Sequence, residues 1–323
     1  MEAARVRSFE KFSYLLRPSK QVERKLFVEA LHHLSSWGFS ISDYTYLGLG
    51  SVYYADFILF YKYLYLNDMI CVEKEDIPKR MEFNKPFPFI RLRMKRVSEV
   101  LPELDRGRLY IVWLDYDSVM DEETLRDIEG FAQILRPGSV LIVTVEADPK
   151  FRGWFDSDDT LSEARRRELI LDSVKEKFGR YCRLDVRTSA LTFNQLPRLF
   201  ADILRAHVSE KVGFRSGFKF CQLFNLRYRD GAQMLTVGGM VCDRKNRRKL
   251  MRSGIYKLSW ITRAPEPITI SVPPLTIREK HWLDQSLNVP VGDLKLRFEL
   301  AKDLLQNYRE YHKYYPIYYE TLL

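Results

Sequence analysis

Between residues 44 and 146, five short apolar runs alternate with segments of helical periodicity, and this alternation constrains the fold more than any other feature. The runs are Tyr44–Leu47, Met69–Val72, Phe89–Met94, Leu109–Leu114 and Val140–Val145. The second, fourth and fifth carry no charge, as strands covered on both faces require. In the third, Ile90, Leu92 and Met94 alternate with Arg91, Arg93 and Lys95, which places it nearer a sheet edge. Right-handed crossovers then give a parallel sheet with helices on both faces. Two longer runs follow, Phe218–Tyr228 and Ala232–Cys242, joined by Asp230-Gly231. That pair predicts a type I′ hairpin, so the sheet ends in an antiparallel pair. The expected class is α/β, a doubly wound, mostly parallel sheet of seven strands.

The first strand enters YTYLGLGSVYY, Tyr44–Tyr54. Strand, glycine turn and helix open a nucleotide-binding βαβ unit, where missing Cβ atoms allow a tight turn and a close ligand approach. The second strand ends at Glu73, about twenty residues after Gly50, where a ribose-binding acid is expected. Its blander reading is a surface acid beside Lys74, Glu75 and Asp76.

Upstream, Arg17-Pro18-Ser19 starts a helix with Ser19 as N-cap, and Leu26, Phe27, Ala30, Leu31 and Leu34 form its apolar stripe. Lys20, Glu23, Arg24 and Lys25 are either a solvated face or part of a segment folded over a ligand mouth. Residues 1–16 read as a lead-in and 146–160 as a loop. Thr192–Val212, Thr276–Asn288 and Val291–Tyr311 read as helices, and the aromatic tail HKYYPIYYETLL as packed onto the main domain.

The balance of 52 basic against 43 acidic residues, net +9, permits an anionic partner without demanding one. The basic run 243–252 is either a phosphate-tracking segment or a solvated loop beyond the hairpin, and it lacks the interleaved aromatics of single-strand stacking. Cys71, Cys182, Cys221 and Cys242 have no paired spacing, and His32, His33, His207, His281 and His312 form no cluster, so no metal is assigned. The charged start is no signal peptide and no run is long enough to span a bilayer, so the expectation is a cytoplasmic protein with no membrane partner.

Five alternating strands closed by an antiparallel hairpin resemble the plan of class I S-adenosylmethionine-dependent methyltransferases, whereas a nicotinamide-binding domain continues with parallel strands. Leu47-Gly-Leu-Gly-Ser51 resembles the first motif of that class, Val72-Glu73 its ribose acid and Val97-Ser-Glu-Val-Leu-Pro102 its adenine-flanking segment. Leu114-Asp115 is similar to its fourth-strand motif and Leu135-Arg-Pro-Gly-Ser139 to its turn before the fifth strand. With its RPSKQVER opening, the chain is most similar to a bacterial family described as "putative O-methyltransferases". Against the pattern, Tyr46 replaces the acid before the first glycine, Val52 the third glycine, and Arg96 the acid at the adenine amino group.

The resemblance implies S-adenosylmethionine as cofactor. Gly48, Gly50 and Ser51 would lie under its methionine part, Glu73 on the ribose, Val97 on the adenine, and Asp115 between cofactor and acceptor. Asp115 or Asp117 would act as base or orient the acceptor; Asp117 reads equally well as a helix N-terminal acid. Lys20 and Arg24 are candidates for the cofactor carboxylate or a lid, with Tyr53 and Asp56 as further ligand-facing candidates beside a plain packing role. DYDS is not a DPPY-type motif, so no nucleobase amino-methylation follows. The acceptor stays open. The alternative is a degenerate methyltransferase-like module that binds nucleic acid or a protein. The expected organisation is an N-terminal helical cap over 1–43, the α/β domain over 44–243 and a C-terminal helical extension over 244–323.

Overall fold

A computed structural model describes residues 17–149, 162–182 and 186–316. The lead-in 1–16, most of the loop read over 146–160, and the tail from 317 lie outside the described residues. The strands are β1 (Thr45–Leu49), β2 (Asp68–Val72), β3 (Ile90–Arg93), β4 (Tyr110–Val119), β5 (Val140–Glu146), β6 (Lys219–Asp230), β7 (Ala232–Cys242) and β8 (Ile268–Ile270). They form one sheet in the order β3-β2-β1-β4-β5-β7-β6-β8. β1 to β5 run parallel, and β7 lies antiparallel between β5 and β6. The expected α/β sheet is therefore present, with β3 at an edge and eight strands rather than seven. The addition is β8, which pairs parallel with β6 through Leu226, Arg227 and Tyr228.

Helices cover both faces. On one, α1 (Pro18–Ser36) and α2 (Ala55–Leu64) pack over Tyr46, Met69, Trp113, Ile142 and Phe224. On the other, α5 (Glu122–Ile134), α6 (Glu163–Phe178) and α7 (Leu196–Gly213) pack over Leu47, Val112, Leu114, Val143 and Val237. The shorter α3 (Pro78–Asn84) and α4 (Val97–Val100) flank β3 in sequence. Leu26, Phe27 and Leu31 of α1 are fully buried, each contributing about 1.5–3 kcal/mol of transfer free energy. The first helical residue of α1 is Pro18, with Arg17 rather than Ser19 as N-cap. The amides of Ser19 and Lys20 instead donate to the Asp230 carboxylate at 3.1 and 2.8 Å. Gly231 turns the hairpin at φ +109°, while Asp230 keeps a negative φ, so this is not the type I′ turn that the pair predicts.

Three further expectations are corrected. β4 continues through Asp115-Tyr-Asp-Ser118, shifting register against β5 between Asp115 and Val119. The basic run is a helix, α8 (Arg244–Arg252), because Asp243 caps it by accepting from the Asn246 amide at 2.7 Å. Of 291–311, only α10 (Lys302–Tyr311) is helical. Leu294, Leu296, Phe298 and Leu300 alternate at period two, and they pack as irregular chain against a small core of Leu283, Leu305, Tyr308 and Tyr315. α9 (Ile277–Gln285) supplies Leu283 and starts with a Thr276–Glu279 capping box.

Candidate active site

At the carboxyl end of β1 the Gly50 amide donates to the Val72 carbonyl at 2.6 Å, extending the parallel pairing with β2. The missing side chains of this loop face protein. A Cβ on Gly48 would lie 2.4 Å from the Tyr46 hydroxyl oxygen and 3.0 Å from Asp56 Oδ2. A Cβ on Gly50 would lie 2.8 Å from the Glu73 Cβ and 3.1 Å from its Oε2. Tyr46 donates its hydroxyl hydrogen bond to Asp56, in the first turn of α2. A carboxylate thus lies beside the glycine loop, carried on the helix and hydrogen-bonded by Tyr46, the residue that stands in the motif's acid position. α2 begins behind Tyr54, held in the left-handed region at φ 47° with its hydroxyl donating to the Met81 carbonyl at 3.0 Å. Tyr53 is half-buried, its amide 3.4 Å from Ser51 Oγ.

Glu73 sits at the end of β2, where its amide donates to Arg93 and one carboxylate oxygen accepts from the Glu75 amide at 2.9 Å. Burial raises its carboxyl above the ordinary range. Val97, the first residue of α4, is buried in the cluster that holds Ile70 and Val72. Arg96 turns to the surface and pairs with Glu123 at 2.8 Å.

The first turns of α1 enter the protein above β4. Lys20, 1% exposed, places Nζ 2.7 Å from Asp115 Oδ1 and 2.9 Å from Glu23 Oε2, and 4.4 Å from the Trp113 ring centroid. Glu23 also accepts from the Thr236 hydroxyl. Thr236 and Thr144 hydroxyls lie 2.8 Å apart, and Trp113 Nε1 donates to Thr144 at 3.0 Å. The result is a buried polar ring through α1, β4, β5 and β7. Burial drives the Glu23 carboxyl upward and the Lys20 charge opposes it. Arg24 is 3% exposed, and its Nε and Nη1 have no hydrogen-bond partner. Its charge opposes the burial that raises Asp56. The buried Tyr228 hydroxyl also lacks a partner.

Of the sequence candidates, Lys20, Arg24, Asp56 and Asp115 converge on the α1 side, and Glu73 abuts Gly50. Asp117 is exposed within β4; the N-cap of α5 is Asp121, which accepts from the Thr124 amide at 2.8 Å. Between them Tyr116 points to the opposite face and donates to Asp127 at 2.7 Å. Thr236, Tyr228 and Glu146 escape the sequence reading, and the burial of Glu23 against Thr236 does too. Glu146 ends β5 as Glu73 ends β2, so the same acid-after-strand signal marks it. It is 7% exposed, and burial with the charges of Asp148 and Asp117 pushes its carboxyl up to about 7 against the pull of Arg17. Among the described residues no group of His, Cys, Asp or Glu has the geometry of a metal site, and no helix is long and apolar enough to cross a membrane.

A parallel sheet ordered 3-2-1-4-5 and closed by an antiparallel seventh strand, with a glycine loop after β1 and an acid after β2, defines a class I methyltransferase fold. More narrowly, the chain belongs to the family described as "Putative O-methyltransferase", which matches residues 12–323. Among solved structures it is similar to the N-methyltransferase NodS from Bradyrhizobium japonicum WM9, at 10% identity over 69% of this chain and 97% of that one, TM-score 0.37. It is also similar to Trm1 from Pyrococcus horikoshii in complex with S-adenosyl-L-methionine, at 11% identity over 76% of this chain and 61% of that one, TM-score 0.45. A "putative O-methyltransferase" from Klebsiella pneumoniae is 11% identical over 74% of this chain and 82% of that one, TM-score 0.36. No curated protein matches the chain.

Proposed function

We propose that the protein transfers a methyl group from S-adenosylmethionine to an oxygen acceptor at the carboxyl ends of β1, β2 and β4. The observation that carries the reading is a matched pair of groups: a carboxylate, Glu73, against the glycine loop, and a buried guanidinium, Arg24, with two unpaired donors on the α1 side. A buried donor without a partner is costly, and a ligand carboxylate meets that need. In this reading Gly48, Gly50 and Ser51 carry the methionine part and Arg24 takes its carboxylate. Glu73 accepts from the ribose hydroxyls, and Val97 closes on the adenine.

The cofactor supplies an electrophilic methyl on a sulfonium, so the protein's task is alignment and, for an O–H acceptor, proton removal. Asp115 faces the acceptor with one oxygen fixed by Lys20, which leaves the other to orient a hydroxyl or take its proton. Asp117, one step further along the same face of β4, is a second carboxylate for the acceptor. Titration calorimetry with S-adenosylmethionine and S-adenosylhomocysteine tests the reading. Micromolar binding that weakens at least tenfold in Glu73→Ala is expected; no binding at millimolar cofactor overturns it.

A further inference from the structure

At the other end of the strands, α8 flanks an open depression of about 640 Å³ lined by Gly217, Lys219, Cys242, Arg244, Arg247, Arg248 and Arg252, among others. Cys242 ends β7, which runs antiparallel to β5, so this surface lies beyond the amino ends of the parallel strands. The arginines are ordered. Positions 244, 247, 248 and 252 recur at three- and four-residue spacing and share one side of the helix. The opposite side is committed to the body, where Leu250 is buried and Lys249 donates to the Gly38 carbonyl over the Phe39 ring. Lys219 adds a fifth cation from β6.

None of these five cations makes an ion pair among the described residues. Asp243, the acid at the rim, is occupied in capping α8. The basic run of α6 behaves differently: Arg165 pairs with Glu168 and Arg167 with Glu163 in the same helix. A solvated basic face is therefore built one way on α6 and another on α8. On α8 like charges repel at four-residue spacing, and Arg244 and Arg247 sit at the positive end of the helix dipole. Only Arg252, in the last turn, suits the helix dipole, whereas a polyanion in the depression meets all five cations. Arginine forks take phosphate oxygens two at a time, and a concave surface follows a strand better than a flat bilayer.

We infer that this depression binds the phosphate backbone of a nucleic-acid strand. Among the described residues no aromatic ring lines it, so contact is to phosphates and is independent of sequence. The cofactor reading is not required, since the groove and Glu73 lie at opposite ends of the sheet.

Fluorescence anisotropy of the full chain with labelled 20-nucleotide oligouridylate and oligothymidylate tests it. Five engaged phosphates give a loss of about 100-fold in affinity between 50 and 200 mM salt. Arg247→Gln with Arg248→Gln is expected to weaken binding at least tenfold at 50 mM and to flatten the salt dependence, with melting temperature and cofactor affinity unchanged. Arg165→Gln is the control and leaves binding intact. The RNA and DNA probes identify which strand is preferred. No binding at 50 mM salt overturns the inference, as does binding that the double variant leaves unchanged. It is also overturned if the variant loses binding only to phosphatidylserine vesicles, or only to inorganic polyphosphate.

Discussion

Lys20 and Asp115, 95 residues apart in sequence, meet at 2.7 Å between Nζ and Oδ1 and tie the first helix to the end of the central strand. The two ends of this pair are not equivalent. Lys20 is 1% exposed and also neutralises Glu23, which is fully buried, while the Asp115 side chain keeps 29% of its surface. Removing the lysine leaves a buried carboxylate without its cation; removing the aspartate leaves Lys20 paired to Glu23. Lys20→Met is expected to cost about 3 kcal/mol in urea denaturation and Asp115→Asn about 1 kcal/mol. Equal costs would show that Glu23 does not depend on Lys20.

Asp230 does for α1 what a local N-cap does for other helices, from 210 residues away. Asp230→Ala is expected to cost about 1–2 kcal/mol and Asp230→Asn less, because the single amide oxygen still accepts one of the two bonds while the second bond and the charge at the helix end are lost. Amide hydrogen exchange localises the effect: protection should fall in residues 19–24 and stay unchanged in α5. Uniform loss across the sheet would mean that the hairpin, not the cap, is what Asp230 holds.

The sheet was legible in the sequence because its signals are local. Strands buried on both faces read as nearly continuous apolar runs, as Met69–Val72 is throughout and Val140–Val145 is apart from Thr144. The placement of the candidate residues was legible where one strand end specified it, as with Glu73 after β2 and Asp115 in β4. It was not legible where partners come from distant elements. Glu23 looks like one more charge on a polar helix, and only the approach of Thr236 from β7 reveals it as buried. Leu294, Leu296, Phe298 and Leu300 misled through apolar content, since their period of two cannot line one side of a helix.

Under the proposed function, a variant of Arg24 distinguishes recognition of the methionine part from recognition of the nucleoside. Arg24→Ala removes a buried guanidinium whose Nε and Nη1 have no hydrogen-bond partner among the described residues. Calorimetry is expected to show a 10- to 100-fold loss for S-adenosylhomocysteine, corresponding to about 1.4–2.7 kcal/mol. Methylthioadenosine, which lacks the carboxylate, should bind both proteins alike. A matching loss for methylthioadenosine would place Arg24 elsewhere on the cofactor.

Gly48→Ala puts a methyl group 2.4 Å from the Tyr46 hydroxyl oxygen and 2.8 Å from its ring carbon, against a side chain locked onto Asp56. Overpacking of this kind costs about 1–3 kcal/mol. Tyr46→Phe removes the oxygen but not the ring carbon, so the double variant should be more stable than the sum of the two single losses predicts, yet less stable than Tyr46→Phe alone. A double-mutant cycle by denaturation measures the coupling. Strict additivity would mean that the loop relaxes away from Tyr46.

Glu146 carries the clearest pH dependence. Its carboxyl is raised from the ordinary 4.5 to about 7, by burial first and by Asp148 and Asp117 after it. For an acid raised on folding, the native state favours the proton. The associated stability is complete below the unfolded value, falls as pH rises through the interval between 4.5 and 7, and is gone above it. Glu146→Gln has no charge to lose. Its stability relative to the parent should therefore improve by roughly 2–3 kcal/mol between pH 5 and pH 8. Denaturation curves of both proteins at the two pH values read this directly. A difference that does not change with pH would show that Glu146 is ionised in the folded protein throughout, with Arg17 outweighing its burial.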